Sequence, residues 1–213
     1  MRERAQRDYG GISAADRRAE RRARLLSAGR QAWGESGTAG VTVRGVCALA
    51  GLTDRYFYEH FANREALILA VSDEVRDQLL AAMVAAGQVA PGDATVKLQA
   101  GLQAFLDAVA GDPHLVRIAT SDTGNIPELV KRRRQMLDMI AELVIANAPD
   151  AFGADLDPDQ LRRAALFAVG GVNQLIEGWL DGSVAMTTAE LAAECAQFCM
   201  SVLRRRRHTP SGN

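Results

Sequence analysis

Aromatic residues are scarce in this 213-residue chain, with two Trp, three Tyr and six Phe. Histidines and cysteines number three each, and no proline precedes Pro91. Each shortage excludes something. Cys47, Cys195 and Cys199 are too few for a disulfide framework and would leave one over, so a reducing, cytoplasmic setting is expected. Cys195 and Cys199 are four apart on one helical face, but two thiols with no neighbouring histidine make a poor metal site. No metal or cofactor is implied. No apolar run approaches the ~18 residues of a membrane span, and "MRERAQRDYGG" holds no apolar stretch for a signal peptide, so no membrane partner is expected. Phosphate-binding glycine loops, hydrolase elbows and metalloprotease motifs are missing, and His60 and His114 have no nucleophile or metal partner in the sequence. An enzyme is therefore not expected.

What is present is unevenly placed. Formal net charge is only -1, yet residues 1–64 hold twelve Lys/Arg against seven Asp/Glu, while residues 65–200 hold nine against nineteen. A basic end on an acidic body suits a protein that meets nucleic acid at one end. Hydrophobic residues make up 48%, enough for a sizeable core. Their spacing is helical, with almost no strand alternation, and predicts an all-α chain of about nine helices. Ser13 with Asp16 opens a first helix that ends near Gly34–Gly37. Its inner face is Leu25, Leu26, Gly29 and Trp33; its other face, Arg17, Arg18, Arg21, Arg22 and Arg24, can be solvated or grip phosphates. Thr42 can cap 43–50, which Gly51 ends, Thr53 can cap 54–61, and Asn63 can cap a long helix from Arg64. Later helices are predicted over 95–110, 114–120, 126–147, 158–181 and 188–207, with caps at Asn125, at Asp157 before Pro158, and in a Thr187/Glu190 capping box.

Four of the eleven aromatics fall within "LTDRYFYEHF", residues 52–61. Two short helices joined by a tight turn in a basic end make a helix-turn-helix candidate. On the wheel of the second helix, Phe57 and Phe61 share one side and can pack with Val46, Leu49 and Leu67. Arg55, Tyr56 and Glu59 lie opposite, flanked by Tyr58 and His60.

Residues 41–71, "VTVRGVCALAGLTDRYFYEHFANREALILAV", resemble the DNA-binding signature of TetR-type transcriptional repressors. The resemblance rests on Thr42, the turn Ala50-Gly51-Leu52-Thr53, the run Phe57-Tyr58-Glu59-His60-Phe61 and the start Asn63-Arg64-Glu65-Ala66-Leu67. Arg64 stands for the usual Lys, Asn63 for Ser, Gly45 for an acidic residue and Tyr56 for a small one. The resemblance implies base reading by Thr53, Asp54, Arg55 and Tyr56 in the major groove, and phosphate contacts by Thr42, Arg44, Tyr58, His60 and Arg64. Glu59 faces the anion unless it pairs with Arg55. The partner implied is double-stranded operator DNA.

By the same resemblance the rest of the chain is an effector and dimerisation domain. The expected layout is an arm at 1–12, a helix-turn-helix domain at 13–62, a ligand-binding and dimerisation domain at 63–207 and a tail at 208–213, arm and tail disordered. The last two helices resemble the family's dimerisation pair. "AALFAVGGVNQLI" is apolar on several faces, which independently calls for burial on more than one side. Candidate homodimer residues are Leu166, Gly170, Leu175, Leu191, Cys195, Phe198 and Val202. Candidate pocket residues are Phe105, Val109, Arg117, Met136, Met139, Ile140, Phe167, Asn173, Glu177 and Trp179, and their aliphatic character suggests a largely apolar small-molecule effector. The expected function is a ligand-responsive repressor; a helical small-molecule-binding protein or enzyme, its first helices merely completing the core, is the alternative. "KRRR" (131–134) and "RRRR" (204–207) are read as solvated surface.

Overall fold

The computed structural model describes residues 13–120, 126–152 and 157–204. Among them are nine helices and no strand: α1 (Ala14–Gly40), α2 (Val43–Ala50), α3 (Asp54–Tyr58), α4 (Arg64–Val89), α5 (Ala94–Ala110), α6 (Pro113–Thr120), α7 (Pro127–Phe152), α8 (Pro158–Leu180) and α9 (Thr188–Arg204). The expected arm at 1–12, the cap at Asn125, residues 205–207 and the tail at 208–213 lie outside the described residues.

Local chemistry sets most boundaries. The Ser13 hydroxyl accepts from the Asp16 amide at 3.0 Å while the Asp16 carboxylate accepts from the Ser13 amide, closing a box at the start of α1. The α1 helix runs past the expected stop, but Gly37 interrupts it with a φ of 67° that glycine adopts without strain. Thr42 caps α2 through the Gly45 amide at 3.1 Å. Gly51, at φ 61°, ends it in the left-handed conformation. Asn63, Asp93, Asp157 and Thr187 cap α4, α5, α8 and α9 in the same manner. Thr53 differs, since its side chain makes no capping bond. The predicted third helix is also shorter than read, stopping at Tyr58 with a turn over 59–60.

The chain divides into two compact units, one ending at Val75 and the other beginning at Arg76. In the first, Leu25, Trp33, Val46, Phe57 and Leu67 are fully buried. Phe57 and Phe61 pack with ring centroids 5.7 Å apart. A side chain at Gly29 would meet Leu67 and Val71 at 3.1 Å, so this glycine lets α1 close on α4. Leu49, expected in this core, is half exposed instead. Of the second unit's core, one cluster is Leu102 and Leu106 of α5 with Leu191, Ala192, Cys195 and Ala196 of α9. There α4 and α5 touch backbone to backbone: a Cβ at Gly101 would sit 2.9 Å from the Met83 carbonyl, and one at Gly87 3.0 Å from that of Lys97.

Candidate nucleic-acid interface

Thr53, Asp54, Arg55 and Tyr56 are all exposed, whereas Phe57 is fully buried. Phe57 is thus the mount, and the four residues before it form the presented surface. The Leu52 amide donates to the Cys47 carbonyl at 2.9 Å, fixing the entry to α3 after Gly51. Cys47, buried in α2, hydrogen-bonds Asp54 across the turn; burial first, then that bond and the Asp54 charge, push its thiol up to about 11. Thr42 and Arg44 are exposed at the start of α2, and Tyr58 is 59% exposed.

Two of the expected phosphate contacts are placed differently. Arg64 is half-buried and turned inward, its Nε donating to the Val41 carbonyl and a terminal nitrogen to that of Thr38. It joins the end of α1 to the start of α4. The Nε2 of His60 is buried and has no hydrogen-bond partner among the described residues. Burial lowers the His60 pKa, and the charges of Arg18, Arg21 and Arg22 lower it further while Glu59 acts the other way. A neutral ring with one nitrogen sealed is poorly suited to hold a phosphate.

The arginines of α1 resolve into a clasp. Arg18 donates to the Glu59 carbonyl at 3.4 Å, and Arg24 to the carbonyls of Ala50 and Gly51. Arg22 stacks 5.5 Å from the Phe61 ring centre. Arg21 lies 4.8 Å from the Tyr56 ring centre and 4.0 Å from the Glu59 carboxylate. Glu59 also pairs with Arg55 at 3.5 Å, the pairing expected to offset its charge. A helical wheel puts these arginines outside because it knows nothing of the neighbouring helix. The overlooked signal was the abundance of carbonyls at the end of α2 and after α3, which need donors.

In the second unit the candidate residues separate. Leu191 and Cys195 are sealed in their own core, with no surface to offer a second copy. Leu175 packs partly against that core. Leu166, Phe167, Gly170 and Phe198 are exposed, Phe167 to 70%. A half-open apolar cleft of about 190 Å³ lies between α8 and α9, lined by Phe167, Val172, Leu175, Phe198 and Val202 among others. Phe167 therefore belongs to this outer face. The remaining pocket candidates do not share one environment. Val109 is fully buried, Phe105 and Trp179 pack against the α5–α9 core, Met136 and Ile140 are half-buried, and Met139 and Arg117 are exposed. The Trp179 indole donates to the Met186 carbonyl at 3.1 Å. Asn173 and Glu177 are engaged by Arg133 of α7, and Asn173 also donates to Glu177 at 3.1 Å.

Residues 25–71 match the profile described as bacterial regulatory proteins, tetR family. No curated relative matches the sequence at a significant level. Solved structures match nearly end to end. The fatty acid degradation regulator FadR from Bacillus halodurans aligns with a TM-score of 0.64 at 18% identity, over 87% of this chain and 99% of its own. A transcriptional regulator from Pseudomonas aeruginosa PAO1 aligns at 0.68 and 21%, over 88% and 92%. The TetR family repressor AlkX from a Dietzia strain, implicated in biodegradation of n-alkanes, aligns at 0.57 and 20%, over 86% and 95%. At these identities the likeness establishes the fold.

Proposed function

We propose that this chain, whose residues 25–71 match the profile of the tetR family of bacterial regulatory proteins, is a sequence-specific DNA-binding transcriptional repressor acting as a homodimer. One observation carries the reading. Four consecutive exposed residues, Thr53 to Tyr56, open a helix anchored by a fully buried Phe57 behind a capped turn. A short, rigidly mounted helix start is the shape that enters a major groove. Arg55 reaching a guanine edge, or Asp54 accepting from cytosine, would discriminate by about 1–3 kcal/mol per base pair. Thr42, Arg44 and Tyr58 remain the proposed phosphate contacts.

Dimerisation through α8 and α9 is supported by their exposed apolar face, Leu166, Phe167 and Phe198, which is costly to leave in water. Two copies would then present two α3 helices to half-sites about 34–36 Å apart on a palindromic operator. Release by a small, largely apolar effector is supported by the aliphatic and aromatic make-up of α5, α7 and α8. The fatty-acid and n-alkane contexts of two fold relatives point the same way. Moving such an equilibrium from 1:99 to 99:1 requires the effector to favour the non-binding state by about 5.5 kcal/mol.

Binding of the purified protein to its own upstream DNA at two salt concentrations tests this. Selective binding that falls with salt, and that Arg55→Ala with Tyr58→Phe weakens, is expected. Absence of sequence-selective binding by the wild type would overturn the reading.

A further inference from the structure

Arg21 sits in α1, outside the helix-turn-helix, yet touches two residues that act on the reading surface. Its guanidinium lies 4.8 Å from the Tyr56 ring centre, and its terminal nitrogen 4.0 Å from the Glu59 carboxylate. The other Glu59 oxygen is 3.5 Å from Nε of Arg55. A chain of contacts therefore runs from Arg21 to Tyr56 directly and to Arg55 through Glu59. Arg21 itself is poorly placed to meet DNA. Its side chain is 24% exposed against 86% for Arg55, and its Nε is buried with no hydrogen-bond partner among the described residues.

We propose that Arg21 is a positioning residue for base readout: it holds the Tyr56 ring from behind and fixes Glu59, which in turn sets the direction of Arg55. This rests on the DNA-reading function proposed above and adds a specificity determinant that no groove contact would reveal. The physical reason is the freedom of the readers. Arg55 is a long, almost wholly exposed side chain with many rotamers, and ordering it on a base edge costs conformational entropy. An anionic partner one helical turn on, itself held by a second cation, restricts that freedom before DNA arrives. Guanidinium suits the task because it stacks on a ring face and pairs with a carboxylate at once, which an ammonium does less well. Glu59 then has a role that explains an acidic group on a surface turned to a polyanion. It trades overall attraction for direction.

The test is a base-pair substitution series on a site selected from random DNA by the wild-type protein, measured for Arg21→Ala and Glu59→Gln. Arg21→Ala should lower discrimination at the pairs read by Arg55 and Tyr56 by about three- to tenfold while leaving the salt slope of non-specific binding unchanged. Glu59→Gln keeps Arg21 and its contact with the Tyr56 ring, and should bind all DNA more tightly yet discriminate less, a combination that loss of folding cannot produce. Losses from Arg21→Ala and Tyr56→Leu should be less than additive, as expected of a coupled pair. A uniform loss of affinity with a salt slope reduced by about one would make Arg21 a phosphate contact and overturn the proposal. Unchanged discrimination in both variants would overturn it too. In either case the wild type still selects its site, which separates this failure from failure of the DNA-binding function itself.

Discussion

At the scale of single residues the head is held by groups that point inward although their chemistry suits the surface. Gly51 contributes through its backbone alone. Its φ of 61° is one that L side chains rarely adopt, and a Cβ there would lie 2.9 Å from the Arg24 guanidinium that binds the neighbouring carbonyls. Gly51→Ala should cost about 1–2 kcal/mol in chemical denaturation of the head, from backbone strain alone. His60 gives the head a pH dependence. An unfolded histidine takes its proton near pH 6.5, and the folded value is lower, from burial and the arginines of α1. The neutral ring's contribution is therefore complete above about pH 6.5 and is lost as pH falls from there through the lower folded value. Thermal melting from pH 8 to pH 5 should show falling stability on the acid side, and His60→Gln should flatten that decline. The sequence made Phe57 and Phe61 legible as anchors because their spacing matches one helical face. It could not reveal the inward turn of Arg64 or the stacking of Arg21 on Tyr56, because both depend on elements more than twenty residues away.

Helices were legible wherever a cap states a boundary. Ser13, Thr42, Asn63, Asp157 and Thr187 each accept a backbone donor as their positions suggested. Thr53 fits the same pattern yet makes no such bond, and α3 closes after five residues, where the Glu59 amide still reaches Arg55 but the His60 amide turns to the nearer Phe57 carbonyl. In the second unit the backbone contact between α4 and α5 depends on Gly87 and Gly101, and periodicity gives no hint of it. Gly101→Ala adds a single carbon against the Met83 carbonyl at 2.9 Å. It should destabilise that unit by about 1–3 kcal/mol in denaturant unfolding, despite the better helix propensity of alanine.

Taken as a whole, the chain is basic at one end and acidic over most of the rest. The basic excess lies in residues 1–64, and exposed Phe167 and Phe198 lie on α8 and α9. Binding through the basic end should follow salt steeply, with log affinity falling linearly in log salt, and Arg44→Ala should reduce the slope by about one. Phe198→Lys should convert a dimer to a monomer in sedimentation velocity and weaken operator binding at least tenfold, since each half-site must then be held separately. The apolar face proposed for dimerisation was only half legible from sequence. Leu166 and Phe198 are indeed exposed, but Leu191 and Cys195, on the same helical stripe as Phe198, are buried against α5. An amphipathic pattern fixes which residues share a face; it does not say how far a neighbouring helix covers that stripe.

The three thiols add a practical consequence. Cys47, Cys195 and Cys199 are all unpaired and buried, each with its proton held up to about 11. At pH 8 roughly one part in a thousand is thiolate, and even that fraction is screened from reagents. Labelling of the native chain should therefore proceed at the rate at which its packing opens. Cys47 then serves as a built-in clock for the head, and Cys195 and Cys199 for the body, readable by mass spectrometry without introducing a probe.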